Sequence, residues 1–155
     1  CSSDLSQNYY WAGREWVYRD IRPRVIGEHF LHVPWGESLT DYKFFCFNGV
    51  PRFVQVDLDR TTDHRRDFYD MDWVQQDFTI GYPRSGRSLD APANFAEMIR
   101  VARRLSAPLP FARVDLYSHQ GYVLFGEITF FPGNGMERFD PPEADDRLGA
   151  LLRTG

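Results

Sequence analysis

The sequence predicts an α+β domain, an antiparallel sheet with helices packed on one face. Three observations predict it. Two pairs of β-type runs are each joined by a tight turn, one at Asn48-Gly49 and one at His119-Gln120-Gly121. One segment, 91–105, repeats its apolar residues at helical spacing. The order hairpin, polar middle, helix, hairpin groups strands together instead of alternating them with helices, which favours an antiparallel sheet.

Composition sets the outer bounds. The chain has 155 residues, 43% of them hydrophobic and 26% charged, enough for one domain with a real core. Aromatics at 16% favour strands and large packed side chains. A net charge of -4 speaks against nucleic acid as a partner. No apolar run has the length of a membrane span. Two cysteines, Cys1 and Cys46, make no disulfide framework, so a reducing cytoplasm is expected, with Cys46 a buried free thiol in Phe44-Phe45-Cys46-Phe47. The absence of an initiator Met predicts a fragment of a longer chain.

Residues 5–19 carry Leu5, Tyr9 and Trp16 at mixed spacing, read as a short helix and a loop, and Pro23 marks a break. Val25–Leu31 reads as a strand that Glu28 interrupts. Asp41–Phe47 and Val50–Asp57 flank Asn48-Gly49, a type I′ signal that pairs Phe47 with Val50 and Lys43 with Val54. Asp41 and Lys43 share a face at the open end of this hairpin. Residues 57–90 read as a long polar loop in which His64-Arg65-Arg66-Asp67 is a solvated charge cluster. In 91–105, Phe95, Met98, Ile99, Ala102 and Leu105 form one apolar stripe, with Asp90 and Pro92 as start signals. Pro141-Pro142 precedes a short tail helix that ends near Leu152.

The last hairpin carries the chemistry. Alternation puts Phe111, Arg113, Asp115 and Tyr117 on one face of its first strand, and Phe125, Glu127 and Thr129 on one face of its second. A three-residue loop, His119-Gln120-Gly121, pairs Arg113 with Glu127 and sets Asp115 diagonal to Glu127. Two carboxylates and a hydroxyl are hard oxygen donors of the kind that suits Mg²⁺, and an arginine beside them suits a transferring phosphoryl or acyl phosphate. A plain Arg113–Glu127 ion pair, worth about 0–1 kcal/mol when exposed, would leave Asp115 without a partner. Two carboxylates are also the equipment of a glycosidase, a reading that uses neither Arg113 nor Thr129.

The spacing Arg113-Val-Asp115, then Glu127-Ile-Thr129-Phe-Phe-Pro132-Gly133, resembles the C-terminal signature of the ATP-grasp superfamily, with Thr129 where Asn is usual. With Tyr42–Gly49, His64–Asp70 and Phe139–Pro142, the chain is similar to the teichuronopeptide-biosynthesis (TupA-like) ATP-grasp proteins. The resemblance implies the nucleotide- and Mg-binding C-terminal half of an ATP-grasp domain over residues 1–155, with the N-terminal half absent. It implies a cytoplasmic, ATP- and Mg²⁺-dependent carboxylate–amine ligase of surface polysaccharide biosynthesis, acting through an acyl phosphate on a sugar-acid or amino-acid substrate. Asp115, Glu127 and Thr129 would then be metal ligands and Arg113 the catalytic charge stabiliser. Glu28, Phe30 and Leu31, in a Glu-x-x-Leu segment, would read adenine by backbone. Asp41 would bind ribose, and Lys43, Arg65 and Arg66 phosphates. The alternative is a non-catalytic carbohydrate-associated module on a degenerate ATP-grasp fold, its tryptophans Trp11, Trp16, Trp35 and Trp73 stacking on sugars.

Overall fold

A computed structural model describes residue 8, residues 10–28, residue 31 and residues 39–152. The expected α+β architecture is present. A five-stranded antiparallel sheet is ordered β3-β2-β1-β5-β6, where β1 is Asp41–Phe47, β2 Val50–Leu58, β3 Arg65–Tyr69, β5 Phe111–His119 and β6 Tyr122–Thr129. A small ribbon pairs β4 (Thr79–Ile80) with β7 (Phe139–Asp140). The helices are α1 (Tyr10–Gly13), α2 (Phe95–Ser106) and α3 (Glu143–Gly149). No helix among the described residues is long and apolar enough to cross a membrane.

One sheet face is mostly apolar, though Asp67 stands opposite Val56 on it, and is covered by α2. Phe44, Cys46, Val54, Val56, Tyr69, Val114 and Leu116 meet Phe95, Met98 and Ala102 of the helix. Phe95 stacks on Phe44, and Trp73 lies flat on Tyr69 while its indole N–H donates to the Leu89 carbonyl at 2.7 Å. Trp73 is therefore part of the core cover and is not a sugar platform. Burial holds the Cys46 thiol as expected and pushes its pKa up to about 11.

The other face is divided. Its lower part is a second core of Phe45, Phe47, Phe68, Phe78 and Ile80, closed by Ala144 and Leu148 of α3, so α2 and α3 lie on opposite faces and not on one as expected. Its upper part carries charged side chains across all five strands.

Both hairpins turn as type I′, but neither keeps the register that its turn alone sets. Asn48 and Gly49 have φ of 50° and 75°, and Phe47 pairs with Val50. An extra residue in β2, between Pro51 and Phe53, then shifts the ladder, so Lys43 faces Gln55, not Val54. The second turn has two residues, Gln120-Gly121, not three, and pairs His119 with Tyr122. A bulge at Phe125-Gly126 adds one more step, so Asp115 faces Glu127 and Arg113 faces Thr129. The two one-residue shifts sum to an even number, which is why Glu127 keeps its face while its partner changes. The bulge reverses parity beyond it, so Leu124 pairs with Tyr117. Glycine is required at 126, because a Cβ there would lie 2.9 Å from the Tyr117 ring and 3.0 Å from the Asp115 carbonyl.

Four other expectations are corrected. Residues 25–28 form no strand, and Val25 and Ile26 are exposed. The polar middle is not one loop, since it holds β3 and β4. Two of the three charges of β3 are not solvated: Arg66 and Asp67 are buried because each has a partner, Asp57 for Arg66 and Ser85 for Asp67. The helix of 91–105 begins later, at Phe95, after Pro92 accepts a turn hydrogen bond from the Phe95 N–H.

Candidate active site

The upper part of the divided face is assembled by strand register. Lys43 of β1 stands opposite Asp115 of β5, and Asp115 stands opposite Glu127 of β6, so three charged residues form one row across three strands. Arg113 and Thr129 form the next row. Alternation along each strand places Asp41 beside Lys43.

The side chains converge on Asp115, which is 1% exposed. Arg113 donates to it twice at 2.8 Å, from Nε to Oδ1 and from Nη2 to Oδ2. The same Nη2 donates to Glu127 Oε1 at 2.8 Å and to Thr129 Oγ1 at 3.0 Å. The Thr129 hydroxyl in turn donates to Glu127 Oε1 at 3.0 Å. From the other side, Lys43 Nζ donates to Asp115 Oδ2 at 2.7 Å and to Asp41 Oδ2. Asp41 keeps one oxygen, Oδ1, buried without a hydrogen-bond partner.

Burial disfavours the Lys43 ammonium and the Arg113 guanidinium, but Asp115 and its neighbouring carboxylates outweigh it, so both pKa values sit above their ordinary range. Asp41 moves the other way from most paired carboxylates. Its burial raises its pKa, and Lys43 offsets that only in part. Tyr117, next to this group, is also raised by burial and by the carboxylate of Asp41.

Two clefts open on the cluster. The first, about 400 Å³, is lined by Glu28, Leu31, Asp41, Lys43, Arg60, Asp115, Tyr117, Phe125, Gly126 and Glu127. The second, about 670 Å³, is lined by Glu15, Tyr18, Arg113, Glu127, Ile128, Thr129, Phe131, Gly133 and Asn134. Glu127 borders both and is 63% exposed at its side chain. Arg113 and Thr129 both use Oε1 of Glu127, which leaves Oε2 open.

Of the residues singled out in the sequence, Arg113, Asp115, Glu127, Thr129, Asp41 and Lys43 are brought together, and Glu28 and Leu31 join them on the first cleft. Phe30 lies outside the described residues. Arg65 and Arg66 do not line either cleft. Arg65 pairs with Asp63 at 2.7 Å, and Arg66 is buried against Asp57. Arg60, on the turn after β2, is a further cation of the first cleft, which no local pattern in the sequence marks. Its Nη1 lies 3.9 Å from Asp41 Oδ2. Glu15 and Asn134 line the second cleft without having been singled out by spacing. The Pro132-Gly-Asn-Gly135 loop was a visible signal for Asn134, whereas nothing local marks Glu15.

Among the described residues no group of three or more His, Cys, Asp and Glu is gathered as a metal site. Two facing carboxylates and a hydroxyl, with Glu127 Oε2 open to both clefts, still fit Mg²⁺, which takes one or two protein carboxylates and completes its shell with phosphate and water.

No curated protein and no solved structure matches this chain. A family model described as TupA-like ATPgrasp matches residues 2–153. With nearly the whole sequence matched, and with an α+β fold consistent with an ATP-grasp subdomain, the chain belongs to the TupA-like ATP-grasp family.

Proposed function

We propose that this protein is an ATP- and Mg²⁺-dependent carboxylate–amine ligase of surface polysaccharide biosynthesis, working in the cytoplasm. One observation carries the reading: Arg113, Asp115, Glu127 and Thr129 form a single hydrogen-bonded network beside Asp41 and Lys43, and that network borders two open clefts. Asp115, Glu127 and Thr129 would hold Mg²⁺, whose chemistry is to neutralise phosphate charge. Asp41 supports a nucleotide in the first cleft, because a ribose hydroxyl would supply the donor that its buried Oδ1 lacks. Glu28 and Leu31 line the same cleft, as an adenine-reading segment would. Lys43 and Arg60 bring positive charge to it for phosphates. Arg113 would stabilise the charge of a carboxylate substrate as it becomes an acyl phosphate, which an amine then displaces.

A second reading, a non-catalytic carbohydrate-associated module, is favoured by one observation. Both oxygens of Asp115 are already met by Arg113 and Lys43, so the network is stable without a metal. Trp11 and Trp16 also present exposed rings. A glycosidase would use two carboxylates and leave Arg113 and Thr129, both bonded to Glu127 in this network, without a role.

The experiment is ADP release by the protein with Mg²⁺ and ATP across a panel of sugar acids and amino acids, with Asp115→Asn and Glu127→Gln as controls. A substrate pair that stimulates ADP release in the parent and not in the variants supports the ligase. Release that is the same in all three proteins would discard the metal assignment.

A further inference from the structure

The second cleft contains a carboxylate that the ligase reading does not use. Glu15 is 7% exposed, and it lines the cleft opposite the Arg113 network. Its side chain makes no hydrogen bond or ion pair with any described residue, and its carboxylate oxygens are not among the buried polar atoms, so they stay open to a ligand in the cleft. The segment that carries it is anchored to the sheet three residues on. There the Tyr18 ring packs on Phe130, and its hydroxyl accepts from the Phe130 N–H at 3.5 Å.

The charge of the cleft defines what is missing. Its lining holds two carboxylates, Glu15 and Glu127, and one cation, Arg113. Arg113 is spent on Asp115, Glu127 and Thr129 and reaches no bond to Glu15. Glu127 is thus compensated, and Glu15 is not. The rest of the lining is the Asn134 side chain, the Gly133 backbone and the apolar surface of Ile128, Phe131 and Tyr18. A primary ammonium with a short body fits this pattern. Its charge would meet Glu15, and the Asn134 side-chain carbonyl would accept a further N–H. An anionic ligand would meet two carboxylates and is disfavoured.

We propose that Glu15 and Asn134 form a subsite for the ammonium group of the amine co-substrate, on the side of the Arg113 network away from Asp41 and Lys43. This rests on the ligase reading for its place in a reaction, but binding itself can be read without turnover. Glu15 is a specificity residue in this account.

The test titrates the full chain with glycinamide, a primary ammonium without a carboxylate, against acetamide as its neutral counterpart, followed by amide NMR shifts. Glycinamide should perturb Gly133, Asn134 and Thr129, and acetamide should not. Glu15→Gln should weaken glycinamide binding about tenfold or more, and Glu15→Asp should restore part of it. Dispersed amide spectra in both variants would show that they fold. Asn134→Ala, which alters an exposed loop side chain, is a second variant and should weaken binding by a smaller factor. Absence of glycinamide shifts in the cleft, or equal affinity in parent and Glu15→Gln, overturns the subsite. ATP-dependent ADP release separates the two ideas. If glycinamide binding depends on Glu15 but no ADP release is found with any acid and amine, the ligase reading fails and the subsite stands. If ADP release is found and its KM for amine is unchanged in Glu15→Gln, the subsite fails and the ligase stands.

Discussion

The same face of the sheet carries two charged clusters, and they are built differently. On β2 and β3, Asp57 is 2% exposed at its side chain and meets Arg66 Nε at 2.7 Å and Gln55 Nε2 at 3.0 and 3.1 Å. Arg66 spends another nitrogen on the Ile80 carbonyl at 2.7 Å and lies over the Tyr82 ring. His64 Nε2 lies 3.2 Å from Asp57 but lacks the alignment of a hydrogen bond. This cluster is closed over by Tyr82 and the β4 ribbon. On β1, β5 and β6 the cluster is equally well bonded at its centre, yet Glu127 and Asp41 keep free oxygens and two clefts reach it. Charged residues in strands thus have two uses here. The closed cluster ties elements together, while the open one presents its edges to a ligand.

Substitutions should separate the two clusters. The largest stability loss should come from the closed cluster. Asp57→Ala leaves the Arg66 guanidinium buried without its carboxylate, which costs about 3–5 kcal/mol. Urea unfolding should show it, and a loss below about 1 kcal/mol would mean that the cluster is not closed. In the open cluster the large effect should fall on activity. Arg113→Met should lower ADP release by about 10²–10³-fold. Glu127→Gln should lower it as well, yet cost no more than about 1 kcal/mol of stability because the side chain is mostly exposed. Equal stability losses at Asp57 and Glu127 would remove the distinction.

Gly126→Ala tests the bulge that sets the open cluster. Its new Cβ would press on the Tyr117 ring and the Asp115 carbonyl, for a loss of about 1–3 kcal/mol. Activity should fall with it, since the Asp115–Glu127 pairing depends on the bulge.

The pH response separates the clusters further. Burial raises the Asp57 carboxyl, but Arg66 outweighs it and holds the pKa below the ordinary value. A depressed carboxylate adds stability above its unfolded pKa of about 3.9 and loses it as pH falls through the folded value. The gap in urea midpoint between parent and Asp57→Asn should therefore be full at pH 6 and close in strong acid. Asp41 has the opposite sign. Its raised pKa means that ionisation costs stability as pH rises through the folded value, so Asp41→Asn should be relatively more stable at neutral pH than in acid.

The smallest effect concerns Cys46. With its thiol at about 11, only about one in a thousand is ionised at pH 8. Iodoacetamide should leave Cys46 unlabelled in the folded protein and label it in urea. Fast native labelling would show that the α2 face opens.

Much was legible because it is local. The Asn48-Gly49 turn, the stripe of 95–105 and the alternation of Arg113, Asp115, Glu127 and Thr129 depend on residues close in sequence, so strand, helix and face could be read from spacing. The β3 strand was not legible, because Arg66 and Asp67 look like solvent residues until Asp57 and Ser85 are placed beside them.

Spacing along the chain is enough to say which residues share a face within an unbulged run, such as Arg113 with Asp115 and Glu127 with Thr129, since a strand has period two. Tertiary structure decided which of them touch. The bulges at Arg52 and Gly126 move Lys43 from Val54 to Gln55 and pair Asp115 with Glu127, and the second sets Phe125 opposite Leu116, off the face that Glu127 and Thr129 keep. It also decided that Lys43 reaches Asp115, 72 residues away, and that Glu15 closes the second cleft. Such contacts follow from strand order and from how a distant segment packs, and no short-range pattern in the chain encodes either.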